Sequence, residues 1–271
     1  MRAVSFRAVI FDLDGTLLDT LEDIAAGTNR VLELAGFPPH PVAAYRHFVG
    51  DGVEMLLRRA LPPDIAAGLP PVCGEASDQA LGVCSGAGEL LPRLLGLLAE
   101  CHREREGVFT KVFPGIPELL AVLRERGAGL AVFSNKPQER VERAVAGFFP
   151  DTPFFQVRGA RPGVALKPDP HGVLAVAREG GFAPEEVVYL GDSDVDMRTA
   201  INAGMYPAGA GWGFRGEEEL RQAGAAEVFS RPQDVLRLFD QDVLRLFDRN
   251  ALRLFDQDAA RPLAQSISRL P

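Results

Sequence analysis

Three apolar runs of strand length, at 7–11, 129–133 and 186–190, constrain this chain more than any other feature, because each stops abruptly in polar or acidic residues. Helical patterns alternate with them, at 115–125, 138–148 and 170–179. Strands separated by helices pair in parallel, so the pattern predicts a doubly wound parallel α/β sheet. In such sheets ligands bind beyond the carboxyl ends of the strands, which is where the polar residues fall. Further runs at 154–158 and 226–229 are candidates for additional strands.

The first run delivers Asp12 and Asp14 in alternation, followed by Gly15. Period two points both carboxylates the same way from the strand end, so that one can attack or bind metal while the other moves a proton. Taken alone, the same residues also read as a solvated acidic turn. The second run ends in Ser134, Asn135 and Lys136, a hydroxyl, an amide and an ammonium suited to holding phosphate. In Lys167-Pro168-Asp169-Pro170, prolines bracket a short loop and leave a lysine at the entrance to the next helical stretch. The last run ends in Gly191-Asp192-Ser193-Asp194-Val195-Asp196.

In order and spacing these four segments resemble the motifs of the haloacid dehalogenase-like phosphohydrolases, from about Phe6 to about Phe239. The resemblance implies a Rossmann-like core and a set of roles. Asp12 becomes the nucleophile that forms an aspartyl-phosphate, and Asp14 the proton donor and acceptor, with a pKa expected to be raised in the closed site. Mg²⁺ is implied as cofactor, held by Asp12, the backbone carbonyl of Asp14 and Asp192, with Asp196 holding metal-bound water. Ser134, Asn135 and Lys167 would cradle the phosphate, Lys167 also offsetting the charge on Asp12. Asp194 reads as a solvated carboxylate, and Lys136, Arg161 and Arg215 read as surface cations.

Between Asp19 and Thr110 strand-like runs are scarce and helical periodicity appears at 21–34, 53–61 and 90–105. The expected organisation is an α/β core at 1–18 and 111–240, a helical cap at 19–110 and a tail at 241–271. Gly50, Asp51 and Gly52 permit a tight loop between two helical patterns. That loop, together with 111–116 and 211–216, resembles the phosphoglycolate phosphatases, which implies 2-phosphoglycolate as the small monoester and the loop as a substrate contact. A plain interhelical turn is the alternative for the loop. Sugar-phosphate hydrolysis, phosphomutase activity and non-catalytic metabolite binding are the alternatives for the chain. Asp14 speaks against the carbon-attacking dehalogenases and the phosphonate hydrolases, neither of which has an acid there.

Composition agrees with a soluble enzyme: 271 residues, 46% hydrophobic and 24% charged. A net charge of −8 argues against a nucleic-acid backbone as partner and leaves a small phosphorylated metabolite in need of local cations. No apolar run reaches the roughly 18 residues of a membrane span. The first residues lead into a strand without room for a secretory signal, so a cytoplasmic location is expected. Cys73, Cys84 and Cys101 form no CxxC pair and read as reduced thiols. The C-terminus repeats one octad three times from Asp234 to Gln257. The first copy suits a final core helix capped by Asp234. The other two read as a tandem duplication or as a homo-oligomer contact.

Overall fold

The structure, a computed structural model, describes residues 5–70 and 87–240. Strand β1 (Ala8–Phe11) consists of four fully buried apolar residues. It pairs in parallel with β4 (Gly129–Pro137) on one side and β6 (Val187–Gly191) on the other. Parallel pairing continues outward to β5 (Gln156–Ala160), β7 (Tyr206–Ala210) and β8 (Glu227–Phe229), giving the order β5-β4-β1-β6-β7-β8.

Alternation along β1 explains the two covering layers. Val9 and Phe11 join a cluster with Ile116 and Leu120 of α5 (Ile116–Glu125) and Val141 of α6 (Gln138–Phe148). Ala8 and Ile10 face the opposite cluster, with Val173 and Val176 of α7 (His171–Glu179) and Ala200 of α8 (Asp194–Ala203). The sheet is thus buried on both faces, as an all-parallel sheet must be.

The chain leaves this core at β2 (Leu18–Asp19) and returns at β3 (Lys111–Val112), which pair antiparallel. Between them lie α1 (Leu21–Leu34), a 3-10 helix (Val42–His47), α2 (Val53–Ala60), α3 (Pro63–Ala67) and α4 (Ala87–Arg105). These helices share an apolar cluster of their own, including Ile24, Leu32, Tyr45, Leu57, Leu94 and Leu98, into which Phe214 projects from the segment after β7. Asp23 fastens the return of the chain: its carboxylate accepts backbone N–H bonds from Gly107, Phe109 and Thr110 at 3.2, 3.0 and 2.9 Å.

Several sequence expectations need correction. β5 starts two residues after the run at 154 and extends to Ala160. β7 escapes sequence reading because Tyr206-Pro207-Ala208-Gly209-Ala210 has no β-branched residue; pairing with β6 and β8 makes it a strand. Helix α9 (Glu217–Gln222) was also not expected. The first C-terminal octad forms a 3-10 helix, Pro232–Phe239, rather than an α-helix, and Asp234 does not cap it. Arg231 occupies the cap position, so Asp234 lies inside the first turn and pairs back to Arg231 at 2.9 Å. Val235 is nevertheless buried in the core. The second and third octads, and Cys73 and Cys84, lie outside the described residues; Cys101 is a buried free thiol. Among the described residues no helix is long and apolar enough to cross a membrane.

Truncating a residue at the centre of this arrangement should be far costlier than truncating an exposed one. Phe11→Ala is expected to lose about 3–5 kcal/mol of unfolding free energy. Leu34→Ala, on the exposed face of α1, should stay within about 0.5 kcal/mol. Urea titration of both variants checks the contrast.

Candidate active site

The ends of β1, β4 and β6 bring three motif segments together. Asp12 follows β1 directly and its N–H donates to Leu190 O of β6 at 2.9 Å. Lys167 Nζ lies 2.8 Å from Asp12 Oδ1 and 2.8 Å from Asp196 Oδ1, with its side chain 3% exposed. Asp196 sits in the first turn of α8 and forms a reciprocal cap with Ser193. Ser193 N–H and Oγ donate to Asp196 Oδ2 at 3.1 and 2.6 Å, and Asp196 N–H donates to Ser193 Oγ at 3.3 Å. Tyr189 Oη adds a donor to Asp196 Oδ1 at 3.3 Å. Burial pushes the Asp12 carboxyl up to about 6, against the pull of Lys167. Burial disfavours the Lys167 ammonium, but Asp12 and Asp196 outweigh it and hold the lysine well above its ordinary range.

Asp192 closes the group from the end of β6. Its carboxylate accepts the Phe214 N–H at 2.7 Å and the Thr16 hydroxyl at 3.5 Å. Trp212 Nε1 donates to Thr16 O at 3.0 Å, tying the 211–216 segment to the first motif. Gly15 has φ +89°, and any Cβ there would collide with the Asp192 carboxylate, so the turn after Asp14 has to be glycine.

Asp12, Asp192 and Asp196 each offer a carboxylate oxygen within 4.8 Å of the others. Three acids and one lysine leave a formal charge of −2. Burial, with Asp196 and Asp12 nearby, pushes Asp192 well above the usual carboxylate range. Asp12 Oδ1 is buried and receives no well-directed hydrogen bond, although Lys167 is close. A hard dication with oxygen ligands, such as Mg²⁺, fits this donor set and its charge. Asp12 and Asp192 have the spare acceptor capacity; both oxygens of Asp196 are already engaged by Lys167, Tyr189 and Ser193.

Asp14 has a partner that sequence reading assigned to the surface. Lys136 Nζ lies 2.8 Å from Asp14 Oδ1, the two side chains being 7% and 11% exposed. Burial works against the Asp14 carboxylate, but the Lys136 ammonium prevails, so its pKa is lowered rather than raised as expected. β4 continues four residues beyond the run ending at Phe133, with a register irregularity that carries Lys136 into the site. That continuation was the missing signal.

Ser134 and Asn135 are both buried at the cavity wall. The Asn135 amide braces other parts: Oδ1 accepts the Lys167 N–H at 2.8 Å, and Nδ2 donates to Gly50 O at 3.0 Å and Lys167 O at 3.3 Å. Gly50 and Gly52 therefore reach the cavity, both with positive φ. Asp51 does not: it pairs with Arg59 of α2 and faces a separate outer cleft, so its reading as a substrate contact is corrected. Arg215 is also corrected. Its side chain is 11% exposed and donates to Val49 O at 2.9 Å, pinning the same loop from the other side. Arg161 is exposed, and Asp194 pairs with Arg198 at the surface.

Two cavity residues carried no sequence signal. His102 of α4 and Arg140 of α6 line a cavity of about 60 Å³ together with Asp12, Asp14 and Lys136. Both sit on amphipathic helices where any polar residue reads as a solvated face. The Arg140 Nη1 donates to His102 Nδ1 at 2.8 Å. Burial, then the charges of Arg140 and Lys136, drive the His102 pKa down to about 3.

A parallel sheet in this order, with paired aspartates after its central strand and a lysine between two buried acids, belongs to one class. Residues 9–210 match the family model described as haloacid dehalogenase-like hydrolase, and the chain is a member of that family. Among its relatives, the phosphoglycolate phosphatase of Pseudomonas putida is 34% identical over 208 residues, covering 77% of this chain and 70% of that protein. The phosphoglycolate phosphatase of Psychrobacter arcticus is 30% identical, covering 82% and 91%. In structure the chain is similar to a predicted phosphoglycolate phosphatase from Haemophilus somnus, with TM-score 0.73, 25% identity and coverage of 88% and 99%. A crystal structure from Lactobacillus delbrueckii subsp. bulgaricus gives TM-score 0.74 at 28% identity, covering 87% and 98%. Within its family the chain is thus phosphoglycolate phosphatase-like.

Two outcomes are expected of this site. Mg²⁺ should raise the thermal midpoint, since an ion that binds only the folded state at 100 times its Kd stabilises by about 2.7 kcal/mol. Asp192→Asn should abolish that rise in a calorimetric scan. Separately, unfolded His102 titrates near its ordinary 6.5 while the folded residue titrates near 3. The unfolded state therefore binds the extra proton as pH falls below 6.5, and stability present above that pH is lost at up to about 1.4 kcal/mol per pH unit. Asp12 and Asp192, raised by burial, take up protons in the folded state over the same range and oppose that slope. Urea titrations between pH 7 and 5 should therefore show the wild type losing stability relative to His102→Gln as pH falls, the difference between the two profiles carrying the His102 slope.

Proposed function

We propose that this hydrolase is a Mg²⁺-dependent phosphatase of small phosphate monoesters, with 2-phosphoglycolate as preferred substrate and an aspartyl-phosphate on Asp12 as intermediate. The observation that carries the reading is the Asp12–Lys167–Asp196 cluster, of which Asp12 and Lys167 line the cavity and Asp196 is buried behind them. An unprotonated Asp12 carboxylate attacks phosphorus in line and displaces the alkoxide, so that one displacement becomes two easier ones. Lys167 and Ser134 hold the phosphoryl oxygens, and bound Mg²⁺ would supply the charge that lets a carboxylate approach a phosphate dianion. Asp12 and Asp192 are the carboxylates that would hold the ion, with the carbonyl of Asp14.

Asp14 gives a proton to the leaving oxygen and then takes one from the water that opens the acyl phosphate. Lys136 keeps Asp14 ionised at rest. That is the form the second step uses; the first step requires the proton to be taken up with substrate. The small cavity, and the relatives named phosphoglycolate phosphatase, favour a short ester. In this reading residues 19–110 are a helical cap over the core at 1–18 and 111–240, and residues 241–271 are a tail available for self-association. The location is cytoplasmic, and nucleic acid and membrane are not partners.

Phosphate release from a panel of 2-phosphoglycolate, glucose 6-phosphate and AMP, with Mg²⁺ or with EDTA, tests the proposal. Phosphoglycolate should be turned over fastest, and chelator should stop all release. Asp12→Asn is expected to lose at least about 10³-fold in kcat, and Asp14→Asn about 10²- to 10⁴-fold. Undiminished turnover by Asp12→Asn would sink the covalent mechanism.

A further inference from the structure

The phosphoryl end of the cavity accounts for Asp12, Ser134 and Lys167, yet Arg140 also lines it and has no part in that chemistry. Its side chain is 14% exposed. Nε donates to Glu106 Oε1 at 3.0 Å and Nη1 donates to His102 Nδ1 at 2.8 Å. Among the described residues, Nη2 has no hydrogen-bond partner. Glu106 is divided between two guanidiniums, since Arg143 Nη2 lies 2.7 Å from its other oxygen.

The environment of Arg140 is built from the inserted helices. A guanidinium only donates, so His102 Nδ1 has to be the unprotonated nitrogen and the ring is neutral. Its Nε2–H faces Thr28 Oγ1 at 3.3 Å, and the Thr28 hydroxyl donates to Ile24 O at 2.8 Å. The imidazole thus orients Arg140 without cancelling its charge. Gly27 leaves the room for this: a Cβ there would collide with the His102 ring. Glu106, shared with Arg143, offsets the Arg140 charge only in part; the Nη2 edge left open in a nearly buried position is costly until it finds an acceptor, and the planar guanidinium matches a carboxylate. The other guanidinium that lines the wall, Arg215, is engaged by Val49 O at 2.9 Å and by Glu219 at 3.4 Å. Ile24, Val53, Leu56 and Phe214 give the wall an apolar stretch. Sugar hydroxyls placed there would lose their hydrogen bonds.

We propose that Arg140, oriented by His102, is the specificity-determining residue that receives a carboxylate on the leaving-group side of the substrate. The ester this site selects is accordingly a short phosphorylated acid. The inference rests on the phosphatase reading and names the residue that sets its substrate class.

The test compares 2-phosphoglycolate with ethyl phosphate, which has the same phosphate and a two-carbon alcohol but no carboxylate. The wild type should prefer phosphoglycolate in kcat/KM by about 10- to 100-fold, the range of a charge-assisted contact. In Arg140→Gln that ratio should collapse toward one, with part of it restored in Arg140→Lys. Gly27→Ala, which displaces His102, should reduce the ratio in the same direction. An equal loss on both esters would mark Arg140 as merely structural, and an unaltered ratio would overturn the proposal outright.

Calorimetric binding of both esters to Mg²⁺-loaded Asp14→Asn, a slow variant whose altered side chain is not among the proposed ion ligands, with and without Arg140→Lys, reads the contrast without relying on turnover. Tighter binding of phosphoglycolate supports the carboxylate site, and equal binding refutes it. If the wild type hydrolyses neither ester, the phosphatase reading fails while this binding contrast still decides the role of Arg140.

Discussion

The ammonium of Lys167, held 2.8 Å from both Asp12 and Asp196, is the interaction on which the site depends. Burying two carboxylates together is strongly unfavourable unless a cation and good hydrogen bonds compensate. The structure meets that requirement from several directions. Asn135 of β4 orders the Lys167 backbone, while Tyr189 of β6 and Ser193 at the start of α8 hold Asp196. Because β1 lies between β4 and β6, the ends that carry these groups are neighbours in space although far apart in the chain. The residual negative charge, after Lys167 is counted, is what makes Asp12 and Asp192 suitable for a divalent ion.

The inserted helices meet this core through contacts of a consistent kind. Asn135 donates to Gly50 O, Arg215 to Val49 O and Arg140 to His102 Nδ1, at 3.0, 2.9 and 2.8 Å. In each case a donor on the core reaches a neutral acceptor on the insertion. The neutral amide contact contributes about 0.5–1.5 kcal/mol and a guanidinium contact about 1.5–3 kcal/mol, so the loop at 49–52 is positioned by one bond of each kind, from Asn135 and Arg215. The same bonds explain why Asn135 has a bracing role: both ends of its amide are engaged in joining Lys167 to Gly50.

Much of the fold and the centre of the site could be read from local pattern. The apolar runs that became β1, β4 and β6 are continuous because both faces of those strands are covered, and the acids at their ends stand out against them. β7 was illegible because alanine, glycine and proline carry no strand preference of their own, and only its neighbours in the sheet make it a strand. The 3-10 geometry of Pro232–Phe239 was missed for a related reason, since an apolar period fits either helix. Lys136 and Arg215 read as solvated cations and Arg140 drew no reading, because a long charged side chain looks the same in sequence whether water or a protein group receives it.

By itself, the sequence determined the parallel α/β class, the helical character of residues 21–105 where described, and the acids and lysine at the strand ends, because these follow from period and from residue type at a boundary. Tertiary structure alone decided which charges meet. It sent Asp51 outward to Arg59, brought Lys136 to Asp14 and lowered rather than raised that acid's pKa, and set a neutral His102 against Arg140. The reason is physical: pairing and desolvation depend on distances in space, which for partners 38 residues apart, as His102 and Arg140 are, or 122 apart, as Asp14 and Lys136 are, no local pattern encodes.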